Sequence, residues 1–134
     1  NTVKVRNITI GEGRPKICVP IVGKKPRGNS QRSRYLLLAS CRCCRVACGW
    51  YDDVFDTEEV LTTAKQLNES LGEIPVLFTF RTSKEGGEKE ISPEQYAQLN
   101  KAVAESGYVD LVDVEVFTRD EIVTSIISHA HANG

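Results

Sequence analysis

The sequence predicts an α/β fold of about four strands alternating with helices, and three observations carry that reading. Apolar strand-like runs occupy residues 16–22, 74–81 and 111–117, helical periods opened by capping residues stand between and after them, and the central run ends abruptly in charge and glycine. Such alternation implies a parallel sheet with right-handed crossovers. With 40% hydrophobic and 26% charged residues, a chain of 134 residues has enough apolar side chain for one domain and its core and is unlike a disordered segment. A formal net charge of -1 supplies no basic field for nucleic acid or an anionic membrane. The sequence has neither an apolar run of bilayer length nor a charged stretch leading into an apolar one at its start, so the expectation is a cytoplasmic protein.

Taken in order, Val3, Val5, Ile8 and Ile10 alternate around Arg6-Asn7, the pattern of a short hairpin spanning residues 1–13 and closed off by Gly11-Glu12-Gly13. Residues 16–22 form the first strand, with Pro20 near its C-terminal end, where a residue without an N–H is tolerated. A helix should follow, yet residues 23–34 carry no helical apolar period. Cys41, Cys43, Cys44 and Cys48 come next, crowded within eight residues, while Cys18 stands apart. A secreted disulfide framework would spread its cysteines. Cys41-x-x-Cys44 has the spacing of half a metal or redox site, although structural zinc takes two such pairs separated by a longer loop, so a metal or redox module is a rival reading.

The reading preferred for residues 24–49 is a shifted reading frame. With one choice of synonymous codons, residues 41–49 are TGC CGA TGT TGT CGA GTG GCG TGT GGA, and translation from the second base spells Ala-Asp-Val-Val-Glu-Trp-Arg-Val followed by an acidic residue. That is a buried strand with a Glu-x-Arg pair. Residues 28–33 behave alike, since GGA AAT AGC CAA CGC AGC read one base later gives the helix-forming run Glu-Ile-Ala-Asn-Ala.

From Trp50 onward the local signals agree with one another. Asp56 with Glu59 opens a helix, Val60, Leu61, Ala64, Leu67 and Leu71 share one face of it, and Gly72 is placed for a left-handed cap. Ile74, Val76, Leu77, Phe78 and Phe80 make a strand buried on both faces, with Arg81 at its tip. The polar loop that follows, residues 82–88, lies where parallel sheets assemble ligand sites. Ser92-Pro93-Glu94-Gln95 is a second capping box, and Tyr96, Leu99, Ala102 and Val103 face the sheet until Gly107. On the strand 111–117, Asp113 and Glu115 are two apart and so share a face, where two buried acids are costly unless paired. Thr118-Arg119-Asp120-Glu121 offers a third capping box before the stripe Val123, Ile126, Ile127 and Ala130. Counting the strand of the shifted frame, the chain holds four βα units. They suit either half of an eight-unit barrel or a small open four-stranded sheet.

Phe80-Arg81-Thr82-Ser83-Lys84-Glu85-Gly86-Gly87-Glu88 resembles the F-R-S/T-x-x-E-G-G motif of the type I 3-dehydroquinate dehydratases. Residues 15–20 are similar to that family's first strand, residues 112–117 to its fourth, and the Glu-x-Arg of the shifted frame to its second. The resemblance implies the N-terminal half of a (βα)8 TIM barrel, with residues 14–134 as units one to four and the hairpin 1–13 covering the N-terminal mouth away from the chemistry. It implies a carbon–oxygen lyase of the shikimate pathway that dehydrates 3-dehydroquinate to 3-dehydroshikimate through a lysine imine, with no cofactor and no metal. Arg81 would be a donor to the substrate's oxygens and Glu85 the catalytic-site carboxylate that orients the family's histidine. Asp113 and Glu115 would belong to the inward polar network behind them, and Gly86 and Gly87 would allow positive φ and close backbone approach. The family's catalytic histidine and lysine lie on strands five and six. Lys84 does not match that lysine and reads as a solvated loop cation, and His129 and His131 read as cations at a helix C-terminus. The chain alone is therefore expected to be inactive. A rival reading is an assembly module, because the first and fourth strands leave sheet edges that invite a dimer or a C-terminal half.

Overall fold

The computed structural model describes residues 1–22, the backbone of residues 43–47, and residues 52–134. The expected helix-forming run at 28–33 and the side chains of the Cys41-x-x-Cys44 half-site lie outside them. Cys18 is free and exposed. Among the described residues, no helix is long and apolar enough to cross a membrane.

The first two strands, β1 (Val3–Val5) and β2 (Ile8–Ile10), form the expected antiparallel hairpin. Its turn places Arg6 at φ 48°, the left-handed region that a two-residue hairpin turn requires. Strands β3 (Cys18–Ile21), β4 (Cys43–Ala47), β5 (Val76–Thr79) and β6 (Leu111–Asp113) form one sheet in sequence order with parallel neighbours. Pro20 sits on β3, at the edge of that sheet, where its missing N–H costs least. The backbone at 43–47 is thus a strand in the place that the shifted frame predicts one.

Helix α1 (Thr57–Leu71) starts as predicted, with the Asp56 carboxylate accepting from the N–H groups of Glu58 and Glu59. It ends at Gly72 with φ 56° but ψ -114°, so the positive φ is met while the left-handed helical cap is not. Helix α2 (Pro93–Glu105) opens on a complete capping box between Ser92 and Gln95 with proline in its first turn. Helix α3 (Asp120–Ala132) departs from the prediction. Arg119 occupies the cap position and no side chain caps the helix, so Thr118 does not form the third capping box.

The core joins the helices to one face of β5. Val60 of α1, Tyr96, Leu99 and Val103 of α2 and Ile126 of α3 pack with Phe78 and Phe80, while Leu67 and Leu71 pack with Ile21 and Val76. Because side chains alternate along a strand, Leu77, Thr79 and Arg81 belong to the opposite face. The predicted stripe on α3 is only partly covered: Ile126 is buried, whereas Ile127 is 40% exposed.

The hairpin is pinned by Arg6. Its Nε donates to Asp110 Oδ1 at 2.6 Å and its Nη1 to the Gly72 carbonyl, while Asp110 Oδ2 accepts from the Val76 N–H at 2.8 Å. These partners lie where β5 and β6 begin, at the end of the sheet opposite Arg81.

Candidate active site

The site grows from two adjacent strand ends. Thr79 and Asp113 are register partners on β5 and β6, and the Thr79 hydroxyl lies 3.3 Å from Asp113 Oδ2. Two residues beyond Thr79, Arg81 comes off β5 on the same face and meets three carboxylates. Nη2 donates to Asp113 Oδ2 at 2.7 Å, and Nη1 donates to Glu85 Oε2 at 2.6 Å and to Glu115 Oε1 at 3.4 Å. The four residues singled out in the sequence, Arg81, Glu85, Asp113 and Glu115, therefore come together in one cluster.

A short loop presents Glu85. After Thr82 the chain makes a 3₁₀ turn (Ser83–Glu85) ended by Gly86 at φ 87°, ψ 13°, a conformation that L side chains avoid. Gly87 then donates its N–H to the Thr82 carbonyl at 2.8 Å, and a Cβ there would stand 1.9 Å from the Arg81 carbonyl oxygen. The two glycines thus divide the two tasks expected of them, positive φ at Gly86 and close approach at Gly87. Ser83 N–H closes the loop on the Lys89 carbonyl at 3.0 Å. Lys84 is exposed, as a solvated loop cation should be.

Glu115 is the buried member, 7% exposed. Besides Arg81 it accepts from the Thr82 N–H at 2.8 Å and the Thr82 hydroxyl at 2.7 Å, so its desolvation is offset by hydrogen bonds as well as charge. The strand predicted over 111–117 in fact ends at Asp113. The reason is Tyr96: its hydroxyl accepts from the Glu115 N–H at 2.9 Å and faces the Asp113 carbonyl at 3.4 Å, which takes these groups out of the ladder. Glu115 therefore reaches the cluster from beyond the strand. Val116 and Phe117 form a turn, and Phe117 is 90% exposed.

Tyr96 was not singled out as a site residue by sequence, where it reads as one position of an apolar helix face. A buried tyrosine hydroxyl nearly always finds a partner, and that rule was the available signal. Burial, the largest effect, pushes its pKa up from 10.0 to about 12.

An open cleft of about 440 Å³ adjoins the cluster, lined by Thr82, Glu85, Ile91, Tyr96, Glu115 and Phe117 among others. Chemically, three carboxylates on one guanidinium take three of its five N–H groups. The arrangement can fix Arg81 and Glu85 rigidly and leave part of the fork for a ligand oxygen. His129 pairs with Glu105 at 2.7 Å on the surface of α2 and α3, and His131 lines a different groove, beside Arg6 and Asp110; neither joins the cluster. Among the described residues no three His, Cys, Asp or Glu side chains are grouped to hold a metal ion.

Comparison with known proteins identifies the family. The model of the type I 3-dehydroquinase family matches residues 17–134. A 3-dehydroquinate dehydratase of Clostridioides difficile is 43% identical over 129 residues, covering 96% of this chain and 51% of that protein. One of Bacillus licheniformis is 40% identical over 131 residues, covering 98% and 52%. Among solved structures, the type I 3-dehydroquinate dehydratase of Clostridium difficile with covalently modified comenic acid superposes with a TM-score of 0.97 at 41% identity, over 99% of this chain and 52% of that one. The 3-dehydroquinate dehydratase of Enterococcus faecalis gives 0.94 at 36% identity, over 98% and 55%. This chain spans about half the length of the relatives it matches, and it belongs to the type I 3-dehydroquinase family.

Proposed function

We propose that this chain is the N-terminal half of a (βα)8 barrel that dehydrates 3-dehydroquinate to 3-dehydroshikimate, a carbon–oxygen lyase of the shikimate pathway acting in the cytoplasm. The observation that carries this reading is the convergence of Arg81, Glu85, Asp113 and Glu115 at the C-terminal ends of adjacent parallel strands, which is where barrels of this kind assemble their active sites. Asp113 and Glu115 hold the guanidinium in place, and its remaining N–H groups meet a substrate oxygen. Glu85 is held at 2.6 Å by Arg81, ready to accept from and orient an imidazole that serves as base and acid. The imine-forming lysine and that histidine come from the second half of the barrel. An imine draws electrons from the neighbouring C–H bond, which the histidine deprotonates before water leaves. No metal or cofactor takes part.

Two consequences follow. The edges of β3 and β6 are the seams at which a C-terminal half, or a second copy of this chain, adds its strands. In the shifted-frame reading the Glu and Arg would stand at positions 45 and 47, which are opposite Leu77 and Thr79 in the register of β4.

The test is a titration of the purified chain with 3-dehydroquinate, followed by NMR at the Arg81 guanidinium and the 82–88 amides. Shifts there, with no 3-dehydroshikimate formed, are expected; an unperturbed Arg81, or turnover by the chain alone, would sink the reading. Light scattering at high concentration should show self-association, and a clean monomer would remove the second copy as a partner.

A further inference from the structure

We infer that Tyr96 is a positioning residue for the site, acting through Glu115 to hold Arg81 and Thr82 in place. The inference rests on the proposed substrate site and deepens it. Tyr96 lies in the first turns of α2, whose start is locked by the Ser92–Gln95 capping box. From there the ring reaches the strand ends. It packs edge-on against Phe80, the residue before Arg81, with centroids 6.2 Å apart and planes at 75°. Its hydroxyl binds the Glu115 N–H at 2.9 Å and faces the Asp113 carbonyl at 3.4 Å, pinching together the backbone on either side of Val114.

That pinch turns the chain out of the β-ladder. The register that pairs Thr79 with Asp113 sets Glu115 opposite Arg81, and the pinch holds it there while its carboxylate takes the Thr82 N–H, the Thr82 hydroxyl and Arg81 Nη1. The route is Tyr96 to Glu115 backbone, Glu115 carboxylate to Thr82 and Arg81. Every link is a hydrogen bond of stated donor and acceptor. Because burial keeps the phenol protonated far above neutral pH, it serves as donor and acceptor together throughout the working range. Tyr96 is 2% exposed, so its role is to place other residues.

The experiment compares the wild-type chain, Tyr96→Phe and Glu115→Ala by amide hydrogen exchange and by the Arg81 Nε–H resonance, each with and without 3-dehydroquinate. Tyr96→Phe keeps the ring and removes one oxygen. Protection of both the Glu115 and Thr82 amides should fall about tenfold, the equivalent of one hydrogen bond, and the Arg81 resonance should move. Glu115→Ala should reproduce the Thr82 and Arg81 changes while leaving Tyr96 packed on Phe80, which keeps the test decisive if Tyr96→Phe folds poorly. If Tyr96→Phe loosens Glu115 alone, or if Glu115→Ala leaves Thr82 and Arg81 as in the wild type, the relay is overturned. A wild-type Arg81 that ignores 3-dehydroquinate would defeat the proposed function, yet the exchange rates would still decide the relay.

Discussion

Two arginines stand at opposite ends of β5 and β6, and they are bonded in different ways. Arg6, at the N-terminal end, meets one carboxylate and one carbonyl, and that carboxylate also receives the Val76 N–H. Its pairing is one to one and joins hairpin, helix end and strand into a latch. Arg81, at the C-terminal end, meets three carboxylates, one of them 7% exposed. Crowding acids around one cation costs desolvation and mutual repulsion that stability alone does not require. Such excess fits the substrate-site role proposed for Arg81, whereas the pairing of Arg6 fits a structural one.

The largest expected effect lies in the loop beside the Arg81 cluster. Gly87→Ala sets a methyl group 1.9 Å from the Arg81 carbonyl oxygen, and backbone cannot swing aside as a side chain can. Urea unfolding should show a loss of about 3 kcal/mol or more, and a loss under ~1 kcal/mol would mean that the loop has room to shift. Arg81→Met comes next, at about 2 kcal/mol after discounting for partial exposure, together with disappearance of any 3-dehydroquinate response at Glu85. Arg6→Met should cost about 1 kcal/mol, since Asp110 keeps its bond to Val76, and it should leave that response intact. If Arg6→Met also abolished it, the distinction between latch and site would break down.

The smallest effect is a matter of pH. The Tyr96 pKa is raised by burial to about 12 in the folded chain against 10.0 for an exposed tyrosine, so the unfolded chain releases its proton first. Its contribution to stability is whole below pH ~10 and fades as pH rises from about 10 to about 12. Absorbance titration should find a late-ionising component from Tyr96. In Tyr96→Phe the late component should vanish, and its persistence would assign it to another tyrosine.

Much of the site was legible because its members announce themselves in short motifs. Arg81 and Glu85 are one motif apart, and the glycines after them meet needs set within a few residues. Asp113 and Glu115 were expected together on a strand face; they do converge, although Glu115 arrives from past the strand's end. That difference came from Tyr96, 19 residues away in sequence. At the start of α3 the cap position falls to Arg119, and no side chain caps the helix. Arg119 then reaches across to Glu94 of α2 at 3.4 Å.

By itself the sequence determined the order of elements, the Asp56 and Ser92 caps, the hairpin turn, the glycine loop and the family motif, because each depends on bonds between residues a few positions apart. Tertiary structure alone decided where β6 ends, which side chain accepts the Glu115 N–H, and which arginine latches the hairpin to Asp110 across 104 positions. The physical reason is that a long-range hydrogen bond forms only after chain entropy has been lost to packing, so no local pattern encodes its partner.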